Sequence, residues 1–314
     1  MNKKIVVFGS FVVDLMARCD HLPIVGETVK GNCFKLGPGG KGSNQAIAAK
    51  RAAGNVSLVT KVGDDNFGRL ALNTFRDEGF NLSDIIVDPQ EDTGAALIMV
   101  DEATSNNEIV VVSGACGNIL QSELVEVYNK FADTGILLTQ LETNLDSVYT
   151  VIKEASRHQN LVILNPAPYT PFDFGILKYV DFITPNEIEA AQMTGIRIDD
   201  LESAKKAAVK LCQMGVGTAV ITLGENGVLV YDGKVFLHLD AFTVKAVDTT
   251  GAGDAFNGGF ATALSEGAEL ENAVVFASAV AALSVTRVGT APAMAYRTEI
   301  DKFILEHSVH AQEV

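Results

Sequence analysis

Hydrophobic and polar residues alternate with two different periods along most of the chain. Short apolar runs typical of buried strands recur at Ile5–Phe8, Val56–Lys61, Ile136–Leu141, Leu161–Leu164, Val180–Thr184 and Ala219–Thr222. Apolar residues at helical spacing predict intervening helices over Ser43–Ala53, Gly68–Glu78, Leu145–Arg157, the region around Ile188–Met193, and Leu201–Gln213. Strands that alternate with helices indicate a mostly parallel sheet with helices on both faces. Ligands bind such sheets at the carboxyl ends of the strands.

Two segments depart from this alternation. Val12–Ala17 with Thr28–Leu36, and Ala95–Val100 with Glu108–Ser113, have the pattern of strand pairs with no helix between them. We expect them to form a small β element that covers a site as a lid; a pair of antiparallel edge strands without a functional role is the alternative. The predicted core comprises residues 1–11, 38–92 and 116–306, the lid residues 12–37 and 93–115, and a frayed tail residues 307–314.

Composition excludes several classes of partner. The 314 residues are 47% hydrophobic and 20% charged, which suits one large α/β domain. A net charge of −15 disfavours nucleic acid and anionic membrane surfaces, so an anionic substrate needs local hydrogen-bond donors. The longest apolar run, Ala273–Val285, is shorter than the roughly 20 residues that span a bilayer and predicts a buried helix.

Cysteine usage points to a reducing compartment. Cys19, Cys33, Cys116 and Cys212 are widely spaced, without a Cys-x-x-Cys pair or paired histidines. A disulfide scaffold and a zinc site are therefore both poor interpretations. The first residues lack the apolar stretch and cleavage site of a secretory signal, so we expect the protein in the cytoplasm.

The segment Asp248-Thr-Thr-Gly-Ala-Gly-Asp254 is the most informative one. Phe242–Val247 before it alternates as a half-buried strand does, and Ala255–Leu264 after it has helical spacing. Glycines at 251 and 253 let a ligand approach backbone N–H groups at a helix start, where the positive end of the dipole favours phosphate. Asp254 is then either a helix N-cap or a general base, and the two roles can coexist.

A second glycine-rich segment, Gly37-Pro-Gly-Gly-Lys-Gly42, matches the G-x-G-x-x-G dinucleotide pattern, with Asp64 near the place of a ribose-binding acid. The match is weak, because that pattern belongs after the first core strand and Ile5–Phe8 runs into Gly9-Ser-Phe instead. We favour a sugar site, in which Lys41 and Asn44 offer donors and an acceptor to hydroxyl groups.

Several motifs together resemble the ribokinase-type (PfkB) carbohydrate kinases. Gly39-Gly-Lys-Gly-Ser-Asn44 and Asp248-Thr-Thr-Gly-Ala-Gly-Asp254 are similar to that family's two motifs. The segments between and after them also fit: Gln140-Leu-Glu142, Asn165-Pro-Ala-Pro168, Thr184-Pro-Asn-Glu-Ile-Glu189, Thr222-Leu-Gly224 and Thr286-Arg-Val-Gly289. The resemblance spans almost the whole chain and is closest to the ribokinases and deoxyribokinases. It implies a ribokinase-like three-layer αβα core with a mostly parallel sheet and a small β-sheet lid.

The resemblance also implies a reaction. ATP would phosphorylate the primary (5-) hydroxyl of a pentose, with Asp254 as general base and the backbone of Gly251, Ala252 and Gly253 as anion hole. Mg²⁺ would be organised through water by Glu189, beside the nucleotide residue Asn186. Taken alone, Glu189 also fits a solvated helix face.

The same resemblance assigns the binding residues. The sugar would contact Val12, Asp14, Gly39, Gly40, Lys41, Asn44, Ala96, Ile98, Glu142 and Asp254, with Ala96 and Ile98 in the lid. ATP would contact Asn186, Thr222, Gly224, Gly253, Ala277 and Ser278. Individually, Lys41 also fits a surface cation, Asp14 a turn residue, and Ala96 and Ile98 ordinary core positions.

A monovalent cation, K⁺, is a further cofactor that the resemblance implies. Its ligands would come from Asp248, Thr250, Ser284, Arg287 and Gly289, several through backbone carbonyls, and oxygen-only ligation suits a hard cation. Ala293 stands where ribokinases often have a serine ligand.

Val12 is the more consequential departure. Ribokinases typically read Gly-Ser-x-Asn-x-Asp, whereas this chain reads Gly9-Ser-Phe-Val-Val-Asp14, and kinases of 2-deoxyribose are apolar at this position. Cys116 likewise stands where the family often has asparagine. An apolar residue in place of a hydrogen-bonding one removes discrimination in favour of a hydroxyl. Ribose or 2-deoxyribose is therefore the expected substrate, and another sugar or a nucleoside is the alternative within the class.

Two functions from other classes remain open at this point: an NAD-dependent oxidoreductase, based on Gly37–Gly42 alone, and a non-catalytic sugar-binding relative. The expected partners are a small-molecule sugar and ATP, with neither nucleic acid nor membrane. The resemblance also implies a homodimer formed through the lid.

Overall fold

The computed structural model describes residues 3–104, 106–307 and 309–314. Residues 1–2 of the predicted core, Ser105 of the predicted lid and Ser308 of the predicted tail lie outside the described residues. The strands are β1 (Lys4–Phe8), β2 (Val12–Cys19), β3 (Gly31–Gly39), β4 (Val56–Gly63), β5 (Ile85–Asp88), β6 (Thr93–Asp101), β7 (Asn107–Gly114), β8 (Thr134–Thr139), β9 (Leu161–Leu164), β10 (Phe182–Ile183), β11 (Thr218–Thr222), β12 (Val228–Tyr231), β13 (Phe236–Leu239) and β14 (Gln312–Glu313). The α-helices are α1 (Lys41–Arg51), α2 (Asn66–Asp77), α3 (Val125–Phe131), α4 (Leu145–Arg157), α5 (Glu187–Thr194), α6 (Leu201–Gln213), α7 (Ala252–Ser265), α8 (Leu270–Ser284) and α9 (Arg297–Glu306).

The large sheet has the order β14-β13-β12-β11-β10-β9-β8-β1-β4-β5 and is parallel from β11 to β5. Only the edge from β11 to β14 is antiparallel in the described chain. The alternation of strands and helices therefore predicted the sheet correctly. No helix in the described residues is long and apolar enough to cross a membrane.

Two hydrophobic cores lie on opposite faces of this sheet. Along β1, Ile5 and Val7 belong to the core that includes residues of α1, α7 and α8. Val6 and Phe8 belong to the core that includes residues of α4 and α6. Because successive strand residues point to opposite faces, the uninterrupted apolar run of β1 fits a strand that is covered on both sides. The three-layer αβα architecture follows.

The small sheet has the order β3-β2-β6-β7, in which β2 and β6 are parallel and the other pairs antiparallel. Both predicted strand pairs are thus confirmed and join into one sheet. The register places Val12 and Asp14 on the same face as Ala96 and Ile98, and Leu15 opposite Leu36 and Leu97 on the other face. We call these the inner face and the outer face.

Two local predictions were wrong, and the weak dinucleotide match at Gly37–Gly42 is excluded. Phe242–Val247 is not a strand: Phe242 packs on Phe303 of α9, and the segment pairs with no strand among the described residues, so it is an irregular connection between β13 and α7. The end of the predicted frayed tail pairs as β14 with β13. Gly37–Gly42 joins a small-sheet strand to α1 rather than a core strand to a helix, which removes the structural context of a dinucleotide fingerprint.

Candidate active site

A cavity of about 280 Å³ lies between the inner face of the small sheet and the carboxyl ends of the core strands. Asn165 follows β9, Thr184 follows β10 and Thr222 ends β11, and all three line the cavity. The first turn of α7 and the start of α1 also contribute to its wall. This is the expected position for a ligand in a parallel α/β sheet.

The first turn of α7 supplies backbone donors. Gly251 is the N-cap residue with φ of 78°, and the helix begins at Ala252, so Asp254 is the third helical residue and not the N-cap that local sequence also allowed. The amide of Ala252 donates to the Thr249 carbonyl, 3.2 Å away. Helix geometry leaves the amides of Gly253 and Asp254 without an intrahelical acceptor, and the helix dipole adds positive potential there. This turn can bind an anion.

Asp254 is buried at the cavity wall, with 6% of its surface exposed. Its Oδ2 accepts from Asn44 Nδ2 at 3.0 Å, and its Oδ1 accepts from Gln45 Nε2 at 3.0 Å. Both donors lie on α1, about 210 residues away in sequence. The carboxylate is therefore fixed from both oxygens, and its remaining lone pairs can accept a proton from a ligand.

Gly258 explains how α1 comes so close to α7. It lies one helical turn after Asp254, and a Cβ there would be 2.5 Å from the Ala48 Cβ and 2.7 Å from the Gln45 carbonyl oxygen. Only glycine permits this approach of the two backbones without displacement. The contact sets the distance at which Asn44 and Gln45 meet Asp254.

Several of the residues predicted to bind the sugar meet at the start of α1. The Lys41 amide donates to Glu142 Oε2 at 2.7 Å, and the Ser10 hydroxyl donates to the same oxygen. Gly39 is buried and does not line the cavity; a Cβ there would lie 2.2 Å from Asp14 Oδ1, so Gly39 leaves space for the Asp14 carboxylate. Asp14 and Glu142 line the cavity as acceptors, and Lys41 lines it as a cationic donor that feels the charges of Asp254, Glu142 and Glu189.

Charge is concentrated in the cavity. Burial, reinforced by the charges of Glu142 and Asp254, raises the pKa of Asp14 from 3.8 to about 6. Burial would lower the pKa of the Lys41 ammonium, but the attraction of Asp254, Glu142 and Glu189 outweighs it and raises that pKa above its ordinary value. Lys41 therefore stays charged and partly neutralises a cluster of carboxylates.

Asn186 and Glu189 form a reciprocal capping box at the start of α5. The Asn186 side chain accepts from the Glu189 amide at 2.8 Å, and Glu189 Oε2 accepts from the Asn186 amide at 3.0 Å. Burial raises the pKa of Glu189. Asn186 also bridges Thr222 in the parallel sense, and all three residues line the cavity. The predicted metal-organising residue is thus held in place and is not part of a solvated face.

Val12 belongs to an apolar patch in a cavity that polar and apolar side chains line together. It is 2% exposed and forms a small cluster with Ala96 and Cys116, against which Ile98 packs. Burial raises the pKa of the Cys116 thiol to about 12, so this side chain stays neutral. The patch offers no hydrogen-bond donor or acceptor from Val12 or Ala96.

Most of the sequence-predicted site residues line this cavity: Val12, Asp14, Gly40, Lys41, Asn44, Ala96, Ile98, Glu142, Asn186, Glu189, Thr222, Thr250, Gly251, Ala252, Gly253 and Asp254. Gly39, Gly224, Asp248, Ala277, Ser278, Ser284, Arg287 and Gly289 are described but do not line it. Ala277 packs its backbone against Gly259 of α7, so the predicted adenine role of Ala277 and Ser278 has no support from the cavity.

Sequence reasoning missed several lining residues: Ile109, Val111, Asn165, Ala167, Thr184, Thr249, Asn257 and Thr290. A signal was available for two of them, because Asn165 follows one predicted core strand and Thr184 ends another. Ile109 and Val111 pair with Ile98 and Ala96 across the small sheet. Once this register is known, the period-two spacing of the strand places Ile109 and Val111 on the inner face.

Three of the five predicted cation ligands lie together next to the anion-binding turn. Asp248 Oδ2 accepts from the Gly289 amide at 2.9 Å and Oδ1 from the Thr250 amide at 3.0 Å, which brings these three residues together. Burial opposes the charged form, but these hydrogen bonds outweigh it and lower the pKa of Asp248. Among the described residues, no three His, Cys, Asp or Glu side chains form a metal-binding group. A divalent cation here would need phosphate and water as its main ligands.

Comparison with known proteins identifies the family. The model of the pfkB family of carbohydrate kinases matches residues 2–295. The chain is 38% identical to the ribokinase of Haemophilus influenzae, over 98% of this chain and 100% of that protein. It is 36% identical to the deoxyribokinase of Salmonella typhi, over 91% and 94% of the two chains. Among solved structures, Arabidopsis thaliana ribokinase complexed with ribose and ATP superposes with a TM-score of 0.90 at 29% identity, over 98% of this chain and 100% of that one. A cavity built from the family's motifs and a family match over nearly the whole chain lead to one conclusion: this chain belongs to the pfkB family of carbohydrate kinases.

Proposed function

We propose that the chain phosphorylates the primary (5-) hydroxyl of a pentose with ATP and that 2-deoxyribose is accepted at least as well as ribose. The observation that carries the reaction is Asp254, a buried carboxylate held by Asn44 and Gln45 beside the free amides of α7. Relatives named ribokinase and deoxyribokinase, both more than 35% identical, support a pentose as the acceptor.

The proposed reaction is one proton transfer and one phosphoryl transfer. Asp254 takes the proton of the sugar hydroxyl, whose oxygen lone pair forms the new bond to the γ-phosphorus. The bond from that phosphorus to the bridging oxygen breaks, and ADP leaves with its electron pair. The predicted anion hole was the backbone of Gly251, Ala252 and Gly253, but the Ala252 amide already donates to the Thr249 carbonyl. The amides of Gly253 and Asp254 would therefore stabilise the transferring group, since phosphoryl transfer depends on positioning and charge stabilisation. Mg²⁺, organised through water by Glu189, would neutralise phosphate charge.

The two ends of the cavity have different chemistry. Asp14, Lys41, Asn44 and Glu142 would bind the sugar hydroxyls, whereas Asn186 and Thr222 would lie along the nucleotide. Gly224, which does not line the cavity, would contact the nucleotide beyond it. The apolar patch of Val12, Ala96 and Cys116 supports 2-deoxyribose, because a hydroxyl turned toward Val12 loses a hydrogen bond to water without replacement. Ala96 and Ile98 would pack over the sugar as part of a lid formed by residues 12–37 and 93–115.

K⁺ activation is part of the proposal. Asp248, Thr250 and Gly289 lie together. Their carboxylate and carbonyl oxygens, with those of Ser284 and Arg287, would form an oxygen-only set suited to a hard cation. When bound, K⁺ would supply positive charge behind the anion hole. Ala293 contributes no side-chain oxygen, so water would take that position.

We further propose a homodimer through the outer face of the small sheet, in the cytoplasm. Leu36, Leu97 and Val110 lie in register on that face, and each is more than 40% exposed. Contiguous exposed apolar surface marks an interaction site, and a self-complementary patch suits twofold symmetry. All four cysteines are free thiols, which suits a reducing compartment.

An ATP-consumption screen over pentoses, deoxypentoses and ketohexoses, each with and without K⁺, tests the proposal. We expect turnover with ribose and 2-deoxyribose, and a fall in kcat of about 10²- to 10⁴-fold in Asp254→Asn, with sugar binding retained. Near wild-type turnover in that variant would refute the role of Asp254. Binding without any turnover in the wild type would indicate a non-catalytic relative.

A further inference from the structure

Gln45 is a fully buried polar residue that the proposed reaction does not use. It is 0% exposed, lies in the first half of α1 and does not line the cavity, so it cannot touch a bound sugar or nucleotide. Its Nε2 nevertheless donates to Asp254 Oδ1 at 3.0 Å. Asn44, which holds the other carboxylate oxygen, lines the cavity and is already expected to bind the sugar.

Hydrogen bonds from buried neighbours fix the orientation of the Gln45 side-chain amide. Gln140 Nε2 donates to Gln45 Oε1 at 2.6 Å, so the carbonyl end of Gln45 is occupied. The NH₂ end then faces Asp254 Oδ1 and Asn165 Oδ1, each at 3.0 Å, and each of its two hydrogens has an acceptor. Gln140 is 1% exposed. A buried amide whose donors and acceptor are all used has one favourable orientation.

The same network reaches the anion-binding turn. Asn165 Nδ2 donates to the Thr184 carbonyl at 2.9 Å, and the Thr184 hydroxyl donates to Asn257 Oδ1 at 2.6 Å. Asn257 Nδ2 then donates to the Gly253 carbonyl at 2.8 Å. The carboxylate of Asp254 and the backbone of Gly253 are therefore tied through one continuous set of buried side chains to the ends of β9 and β10.

We propose that Gln45 is a positioning residue for the phosphoryl transfer: its amide keeps the Asp254 carboxylate oriented without contacting substrate. The inference rests on the proposed role of Asp254 as general base. A hydrogen bond donated to a carboxylate favours the charged form over the protonated one. Loss of that donor leaves Asn44 as the one side-chain donor to Asp254 among the described residues, and the carboxylate gains freedom to rotate. A purely structural glutamine would instead affect stability and leave the pH dependence of turnover unchanged.

The test is the pH profile of kcat in Gln45→Met, which keeps the volume of the side chain and removes its donor. We expect kcat at neutral pH to fall on the order of 10- to 100-fold, with the sugar KM within about threefold of wild type. The shape of the pH profile should change as well as its height, because the variant lacks a hydrogen bond that favours a carboxylate over a carboxylic acid. Thr139→Val is the matched control, since Thr139 is also fully buried and its hydroxyl has no hydrogen-bond partner among the described residues.

Gln45→Glu provides an independent arm, and it carries the test alone if Gln45→Met fails to fold. When protonated, the introduced carboxyl group can donate in place of the amide, whereas the ionised group repels Asp254. We therefore expect this variant to retain a larger fraction of wild-type kcat at about pH 6 than at about pH 9. A pH-independent loss, or an unchanged profile in either folded variant, would overturn the inference while the proposed function stands. Wild-type protein that phosphorylates no sugar would overturn the proposed function and this inference with it.

Discussion

The choice between ribose and 2-deoxyribose is tested most directly by Val12→Asn. Val12 is 2% exposed and packs with Ala96 and Cys116, so an asparagine amide introduced there enters an apolar patch. Without a partner, a buried amide costs about 1–3 kcal/mol. The 2-hydroxyl of ribose can supply that partner in the complex, whereas 2-deoxyribose cannot.

The expected magnitude follows from this difference. If the hydroxyl recovers about 1–2 kcal/mol of the penalty, the ratio of kcat/KM for ribose to kcat/KM for 2-deoxyribose rises by about 5- to 30-fold. The absolute kcat/KM for 2-deoxyribose should fall, because the unpaired amide remains buried in that complex. The change should lie in relative specificity rather than in kcat for saturating ribose.

The assay couples ADP formation to a spectroscopic readout for the two sugars under identical Mg²⁺ and K⁺ concentrations. Val12→Leu is the matched control, because leucine has nearly the size of asparagine but no polar group, and it should leave the ratio unchanged or lower it. An unchanged ratio in Val12→Asn, or an equal rise in both variants, would refute the argument that a hydrogen bond at this position reads the 2-hydroxyl.

Four further predictions follow from the site and its surroundings. Asp14 has a pKa of about 6 in the folded protein against 3.8 ordinarily, so the folded state binds the proton more tightly and ligand-free stability falls as pH rises between these values. Asp14→Asn should therefore stabilise the ligand-free protein by up to about 3 kcal/mol at pH 8 but not below about pH 4, which thermal unfolding at several pH values would check. The same variant should bind sugar more weakly, which calorimetry would check. Glu189→Gln retains a side chain that can cap α5, so Tm should change little. The Mg²⁺ concentration for half-maximal activity should rise on the order of tenfold, and an unchanged Mg²⁺ dependence would contradict the role of Glu189. Asp248→Asn should raise the K⁺ concentration needed for half-maximal stimulation, measured as turnover against KCl, and an identical curve would remove Asp248 from the cation site. Val110→Glu should shift sedimentation toward the monomer, whereas Leu305→Glu, at a residue 86% exposed on α9, should not; dimers in both variants would place the interface elsewhere.

Periodicity predicted the regular elements because the sheet is covered on both faces. The predicted bounds of α4, β9 and α6 agree with the structure to the residue. Each of these segments has an apolar pattern that only one secondary structure can bury. By contrast, Phe242–Val247 has an equally clear alternation but no neighbouring strand, and a local pattern carries no information about partners.

Site residues could be predicted where glycines and carboxylates form a local sequence motif. They could not be predicted where a residue acts through contact with a helix that is far away in sequence. Asp254 and Lys41 follow from their segments, and the Asn186-x-x-Glu189 spacing could also have indicated a capping box. Gln45 could not be found in this way, because one amide in a helix has no signal of its own. Its partner is more than 200 residues further along the chain, so only the packing of α1 on α7 reveals the pair.

The contact at Gly258 couples the spacing of α1 and α7 to the position of the Asp254 carboxylate, which is the proposed proton acceptor. A methyl group there would meet Ala48 at 2.5 Å and force α1 and α7 apart, a form of overpacking that usually costs about 1–3 kcal/mol. The same displacement would lengthen both hydrogen bonds to Asp254. Gly258→Ala should therefore lower both the free energy of unfolding and the turnover rate. Adaptation of this enzyme to temperature is therefore constrained at Gly258, since a tighter or looser interface at that point changes the chemistry as well as the fold.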